Sequence, residues 1–86
     1  MRFDVLVEVS LRPGIADPQG ATIERALPAL GFEGIDGVRV GKAIRFAVQA
    51  SDEAAAAAAA AEVSDRLLSN PVIEQCRISL SRDGDR

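Results

Sequence analysis

Apolar and polar residues alternate over the first eleven positions. Phe3, Val5, Val7, Val9 and Leu11 share one face. Arg2, Asp4, Glu8 and Ser10 share the other, with Leu6 the apolar exception among them. Period-two alternation rich in β-branched residues predicts a half-buried strand, and Leu6 predicts that part of the second face also meets a neighbour. The alternation stops at residues 11–20, Leu-Arg-Pro-Gly-Ile-Ala-Asp-Pro-Gln-Gly. Pro13 and Gly14 predict a tight turn, because proline presets φ at one position and glycine accepts a positive φ at the next. Asp17 and Pro18 predict a helix start: the carboxylate can accept from unpaired N–H groups, and a proline in the first turn loses nothing by lacking its own.

The period then changes. Ile23, Leu27 and Leu30 fall at i, i+4 and i+7 and Ala26 widens the stripe, so a first helix is expected from Pro18 to about Leu30. Pro28 removes one helical hydrogen bond and predicts a bend or a tightened last turn. Gly31 is placed to be the left-handed residue past the end, with Phe32 folding back on Leu27. Gly34, Asp36 and Gly37 mark a loop. Val38, Val40, Ile44, Phe46 and Val48 are all even-numbered. A two-residue hairpin over Gly41 and Lys42 would put Ile44 on the wrong face. Burial on one face needs a hairpin with an extra residue, a bulge, or one long bent strand, and the hairpin with an extra residue is preferred.

Ser51 and Asp52 supply a second cap, and the alanine block carries a helix to about Leu68 or Ser69. Ala56, Ala59, Ala60, Val63 and Leu67 make its expected packing face. Asn70, which tolerates a left-handed conformation, and Pro71 end it. A last strand is expected from about Ile73 to Leu80, with Cys76, Ile78 and Leu80 on one face and a mobile polar tail over 81–86. The order β-α-β-(β)-α-β predicts a single α+β domain over 1–86: a small antiparallel sheet with two helices on one face, ferredoxin-like in outline.

Composition adds one constraint to this outline. The chain has 86 residues, and many of the residues behind its 48% hydrophobic content are alanines, with aromatics at only 3%. A domain this small buries about 60–65% of its unfolded surface, and alanine contributes little to it. The core is therefore thin, and association into a homodimer or homotetramer is expected. The net charge of −3 and the scattered basic residues disfavour nucleic acid. No apolar run is long enough to cross a membrane, no signal-peptide pattern opens the chain, and a cytoplasmic location is the default expectation.

The residues offer little catalytic chemistry. There is no histidine and only one cysteine, which removes the commonest general base, any Ser-His or Cys-His pair, and a thiolate zinc site. Cys76 reads as a small hydrophobe on a core face. Gly41 and Lys42 suggest a phosphate loop, but Gly37 stands one residue too close, Ala43 replaces the required Ser or Thr, and a strand follows instead of a helix. Acylphosphatases share the fold outline and use a loop arginine with an asparagine; Arg12 could match the first, whereas Asn70 lies at a helix end.

Three segments together carry a specific resemblance. Residues 11–20 resemble a loop of the PurS family. Residues 26–32, Ala-Leu-Pro-Ala-Leu-Gly-Phe, with Val-Arg-Val-Gly-Lys at 38–42, are similar to its helix end and following strand. Residues 67–74, Leu-Leu-Ser-Asn-Pro-Val-Ile-Glu, are similar to its segment before the last strand. Pro28 and the alanine block depart from the family pattern outside these markers. The resemblance implies a small, non-catalytic subunit of phosphoribosylformylglycinamidine synthase, a ligase complex of purine biosynthesis. It implies partners in a glutaminase subunit and a large synthetase subunit, which the chain bridges while aiding ammonia transfer. No cofactor is expected in this chain, since ATP and Mg belong to the large subunit. The expected contact residues are Arg12, Gly14, Asp17, Pro18, Gln19, Gly20, Gly41, Lys42, Asn70, Pro71 and Glu74. The competing reading is an ACT-like regulatory module with a small ligand between subunits, which shares only the outline.

Overall fold

The first strand, β1 (Arg2–Leu11), is the middle strand of a three-stranded antiparallel sheet in a computed structural model that describes residues 1–82. It is followed by α1 (Pro18–Ala26), a 3-10 turn (Pro28–Leu30), β2 (Lys42–Gln49), α2 (Glu53–Val63), a π turn (Ser64–Leu68) and β3 (Glu74–Arg82). β2 and β3 flank β1. Register places Val5 between Phe46 and Leu80, and Val7 between Ile44 and Ile78. Each apolar face of the three strands thus lands on the same side of the sheet, as the alternation predicts.

α2 lies across that side. Phe3, Val5, Val7 and Val9 are buried beneath it with Ala56 and Ala60, and Ile44, Phe46, Val48, Cys76, Ile78 and Leu80 are only half-buried around them. One alanine-faced helix covers the middle strand and leaves the flanks of the sheet partly open. Among the described residues, only Phe3 and Val7 are large and fully enclosed. The thin core expected from composition is real. The radius of gyration is 16.6 Å and the extents are 52 × 31 × 15 Å, against about 12 Å for a compact chain of this length.

Local signals account for most boundaries. Asp17 caps α1 by accepting from the Gly20 N–H at 2.9 Å, and Asp52 caps α2 by accepting from Ala55 at 2.8 Å. Pro28 does end α1, which tightens into the 3-10 turn. Gly31 then takes φ 90°, the Phe32 N–H reaches the Leu27 carbonyl and the Gly31 N–H reaches Pro28, both at 3.0 Å. This is the double hydrogen bond of a Schellman ending. Gly14 (φ 86°) completes a turn closed by the Ile15 N–H on the Arg12 carbonyl.

Several expectations are corrected. There is no hairpin at Gly41 and Lys42. Gly41 does not have positive φ, and residues 38–41 lead straight into β2. Val38 and Val40 lie before the strand, and only Ile44, Phe46 and Val48 alternate within it, so the even-numbered apolar residues do not share one strand. Glycine is needed at 41 for close approach: a Cβ there would lie 2.7 Å from the Val9 carbonyl oxygen. α2 buries Ala56, Ala60 and Ser64, followed by half-buried Leu68, while Val63 and Leu67 face outward. For Leu67 the π turn is the reason; Val63 precedes it. The Ser69 N–H bonds the Ser64 carbonyl at 3.0 Å, and the Ser64 hydroxyl donates back to Ala60 at 2.7 Å, so the wider turn brings Leu68 inward in place of Leu67. Asn70 is not left-handed; it stops the helix through its side chain, which accepts from the Val72 N–H at 3.1 Å. Ile73 precedes the strand. Ser81 and Arg82, expected in the tail, pair with Asp4 and Phe3 as the end of β3; the rest of the expected tail, 83–86, lies outside the described residues.

Candidate functional site: a cleft between the first loop and the start of β2

Two groups of expected contact residues come together in space. Asp17, Pro18 and Gln19 line one wall of a shallow cleft of about 410 Å³; Gly41 and Lys42 line another, and Glu74 closes it from the start of β3. The chain order hides this meeting, which follows from β1 running between the two other strands. A larger hollow, about 550 Å³, lies over the opposite face of the sheet among Arg2, Asp4, Leu6, Arg45 and Ser79. It is wide and shallow, and none of the expected residues lines it, so the cleft is the better candidate.

The other group lies beside the cleft. Arg12 donates from Nε to the Pro71 carbonyl at 2.9 Å, and its backbone N–H reaches the Ile73 carbonyl at 2.9 Å. Glu74 Oε1 accepts from the Asn70 N–H at 2.7 Å. Arg12 therefore braces the turn over 70–73 against the end of β1, and Glu74 joins this brace to the cleft. Gly14 sits at the turn tip, outside the cleft. Gly20 is a correction to the contact set: it is buried, and a Cβ there would stand 2.4 Å from the Val38 carbonyl oxygen. Its place is internal, where α1 meets residues 38–40.

Asp17 is the best-connected side chain of the cleft. Besides capping α1, it accepts from the Val40 N–H at 2.8 Å, and Arg39 Nε stands 3.9 Å away. The Gly20 N–H first, then the Val40 N–H, hold its carboxyl below the usual carboxylate range. Burial opposes them, and the Arg39 charge adds to the lowering. Its side chain is only 8% exposed, so it serves the shape of the cleft more than its surface. Ser10, Gln19 and Lys42 are the exposed polar residues that line the cleft.

Sequence reasoning missed Glu24 and Arg39. Glu24 Oε1 accepts from the Val38 N–H at 2.9 Å. The signal was present: Gly20, Glu24 and Leu27 share a face of α1, and that face, not Ile23 and Leu30, is the less exposed one. The apolar stripe of α1 distracted from it.

The arrangement offers no catalytic set. Among the described residues no group of His, Cys, Asp or Glu could hold a metal, and no helix is long and apolar enough to cross a membrane. A three-stranded α+β chain with a thin core, a braced cleft and much exposed apolar surface defines a class: a small protein that works through contacts. Comparison narrows it. The chain belongs to the PurS family: the family model described as PurS, phosphoribosylformylglycinamidine (FGAM) synthase, matches residues 4–82. The PurS subunit of Methanothermobacter thermautotrophicus is 39% identical over 84 residues, covering 94% of this chain and 95% of that protein. The Synechocystis PurS subunit is 41% identical over 68 residues, 79% of this chain and 68% of that protein. The PurS chain in the solved PurLQS structure from Thermotoga maritima superposes with a TM-score of 0.87 at 30% identity, covering 94% of this chain and 99% of that one.

Proposed function

We infer that this chain is the non-catalytic PurS subunit of a phosphoribosylformylglycinamidine synthase complex. The observation that carries this is its near-complete match to a PurS chain solved within a PurLQS assembly. The complex converts formylglycinamide ribonucleotide, glutamine and ATP to the amidine. In this reading the chain bridges a glutaminase subunit and a large synthetase subunit in the cytoplasm, so that ammonia passes between them without loss to water. ATP and Mg act in the large subunit.

Self-association belongs to the same reading. Ile23 (46% exposed), Leu30 (70%), Phe32 (54%) and Ile35 (48%) form the outward side of α1 and its following loop. Apolar residues this numerous outside the core mark surface that another chain covers, and a flat monomer with so small a core gains most from such cover. A homodimer or homotetramer is the expected state.

Reconstitution tests the function. Glutamine-dependent amidation by the two larger subunits should fall steeply when this chain is omitted and return when it is added. Gln19→Ala should leave the melting temperature within about 2 °C, as exposed substitutions do, and weaken assembly several-fold by light scattering or calorimetry. Full amidation without the chain would overturn the reading. Calorimetric binding of a free amino acid or nucleotide in the absence of partners would favour the ACT-like alternative.

A further inference from the structure

Residues 38–41 pose a physical problem. They belong to no strand, and the pairing of β2 with β1 begins only at Lys42. The loop before them turns through Gly34 (φ 80°) and Gly37 (φ 68°), both in the left-handed region. Nothing in a sheet ladder holds this segment in place, although Gly41 and Lys42 at its end form one wall of the cleft.

The Arg39 side chain reaches the Leu11 carbonyl at 3.5 Å, but the backbone amides of the segment are held by α1. The Val38 amide donates to Glu24 Oε1 at 2.9 Å and the Val40 amide to Asp17 Oδ2 at 2.8 Å. Asp17 and Glu24 are two turns apart on one face of α1, so their carboxylates stand where the carbonyls of a neighbouring strand would. The helix comes close enough to do this because Gly20, between them, has no Cβ to strike the Val38 carbonyl. Hydrogen bonds to charged acceptors are the stronger kind.

We propose that Glu24 is a positioning residue of the cleft: with Asp17 it docks residues 38–40 onto α1 and so sets where Gly41 and Lys42 stand relative to Gln19. The importance of that position rests on the cleft being a contact surface for the partner subunits. A wall held in place before binding does not have to be ordered during it.

Amide hydrogen exchange in the intact chain tests this, alongside assembly with the two larger subunits. Alanine at position 24 keeps helix propensity, and Arg25→Ala, on the exposed side of α1, controls for changes in the helix itself. Glu24→Ala should speed exchange of the Val38 amide by roughly tenfold or more and loosen assembly, with β1 amides unchanged. Glu24→Gln keeps an acceptor oxygen and should restore both to within about threefold, since a neutral bond is weaker than a charged one. Unchanged Val38 exchange in Glu24→Ala overturns the proposal whatever the partners do. Faster exchange, with assembly untouched in Glu24→Ala, Gln19→Ala and Lys42→Ala alike, supports the docking and overturns the reading of the cleft.

Discussion

The two halves of this molecule are held by different forces. The half made of the sheet and α2 rests on apolar contact and backbone ladders: Phe3, Val5, Val7 and Val9 lie under Ala56 and Ala60. The half made of α1 and residues 38–41 rests on two carboxylates accepting backbone amides and on a glycine that permits close approach. The apolar contact of the first is non-directional and insensitive to charge. The second is directional, so it can place a surface with accuracy, and it depends on ionisation. It is fitting that the cleft lies where the halves meet, with β1, Lys42 and Glu74 from one and Asp17, Gln19 and Gly41 along the other.

The largest expected effect lies in the apolar half. Phe3 is 1% exposed, and Phe3→Ala should cost about 3–5 kcal/mol. That is a large share of the stability of so small a domain, so chemical denaturation should find this variant largely unfolded in isolation. Retention of most of the wild-type stability would mean that the core is not where the fold is held. Next comes the π turn at the end of α2. Leu68→Ala should cost about 1–2 kcal/mol, and Leu67→Ala, at a residue 79% exposed, less than about 0.5 kcal/mol. The reverse order would restore the regular helical face that the sequence suggests.

The smallest effect separates the halves by pH. The carboxyl of Asp17 is held below its ordinary value of 3.8, so the unfolded chain binds its proton first as the medium acidifies. The stability it contributes is complete well above 3.8, and it is lost as pH falls through the lower folded value. Melting temperatures followed from pH 7 to pH 3 should drop less for Asp17→Asn than for the wild type. An identical pH dependence in both chains would show that the carboxylate half is not what acid loosens.

Much of this was legible in the residues. The alternation of β1, the caps at Asp17 and Asp52, the stop at Pro28 and the left-handed Gly31 are local matters, set by sterics and by donors and acceptors a few residues apart. The inward faces of β2 and β3 followed from period two alone. The family, too, was readable from three short segments. Gly20 and the face of α2 were not read correctly, because both depend on a neighbour distant in sequence or on a small change of helical pitch.

The chain by itself determined where its elements start, stop and point, since those choices are made by φ preferences, capping and apolar period within a few residues. Only the tertiary structure decided that residues 38–41 lie along α1 instead of turning back as a hairpin. It also decided that Leu68 and not Leu67 closes the core, and that Gln19, Lys42 and Glu74 share one cleft. The first and last of these turn on a backbone amide or carbonyl finding a partner far along the chain, and the second on a helical amide reaching back to Ser64; backbone groups are the same at every residue, so no pattern of side chains announces them.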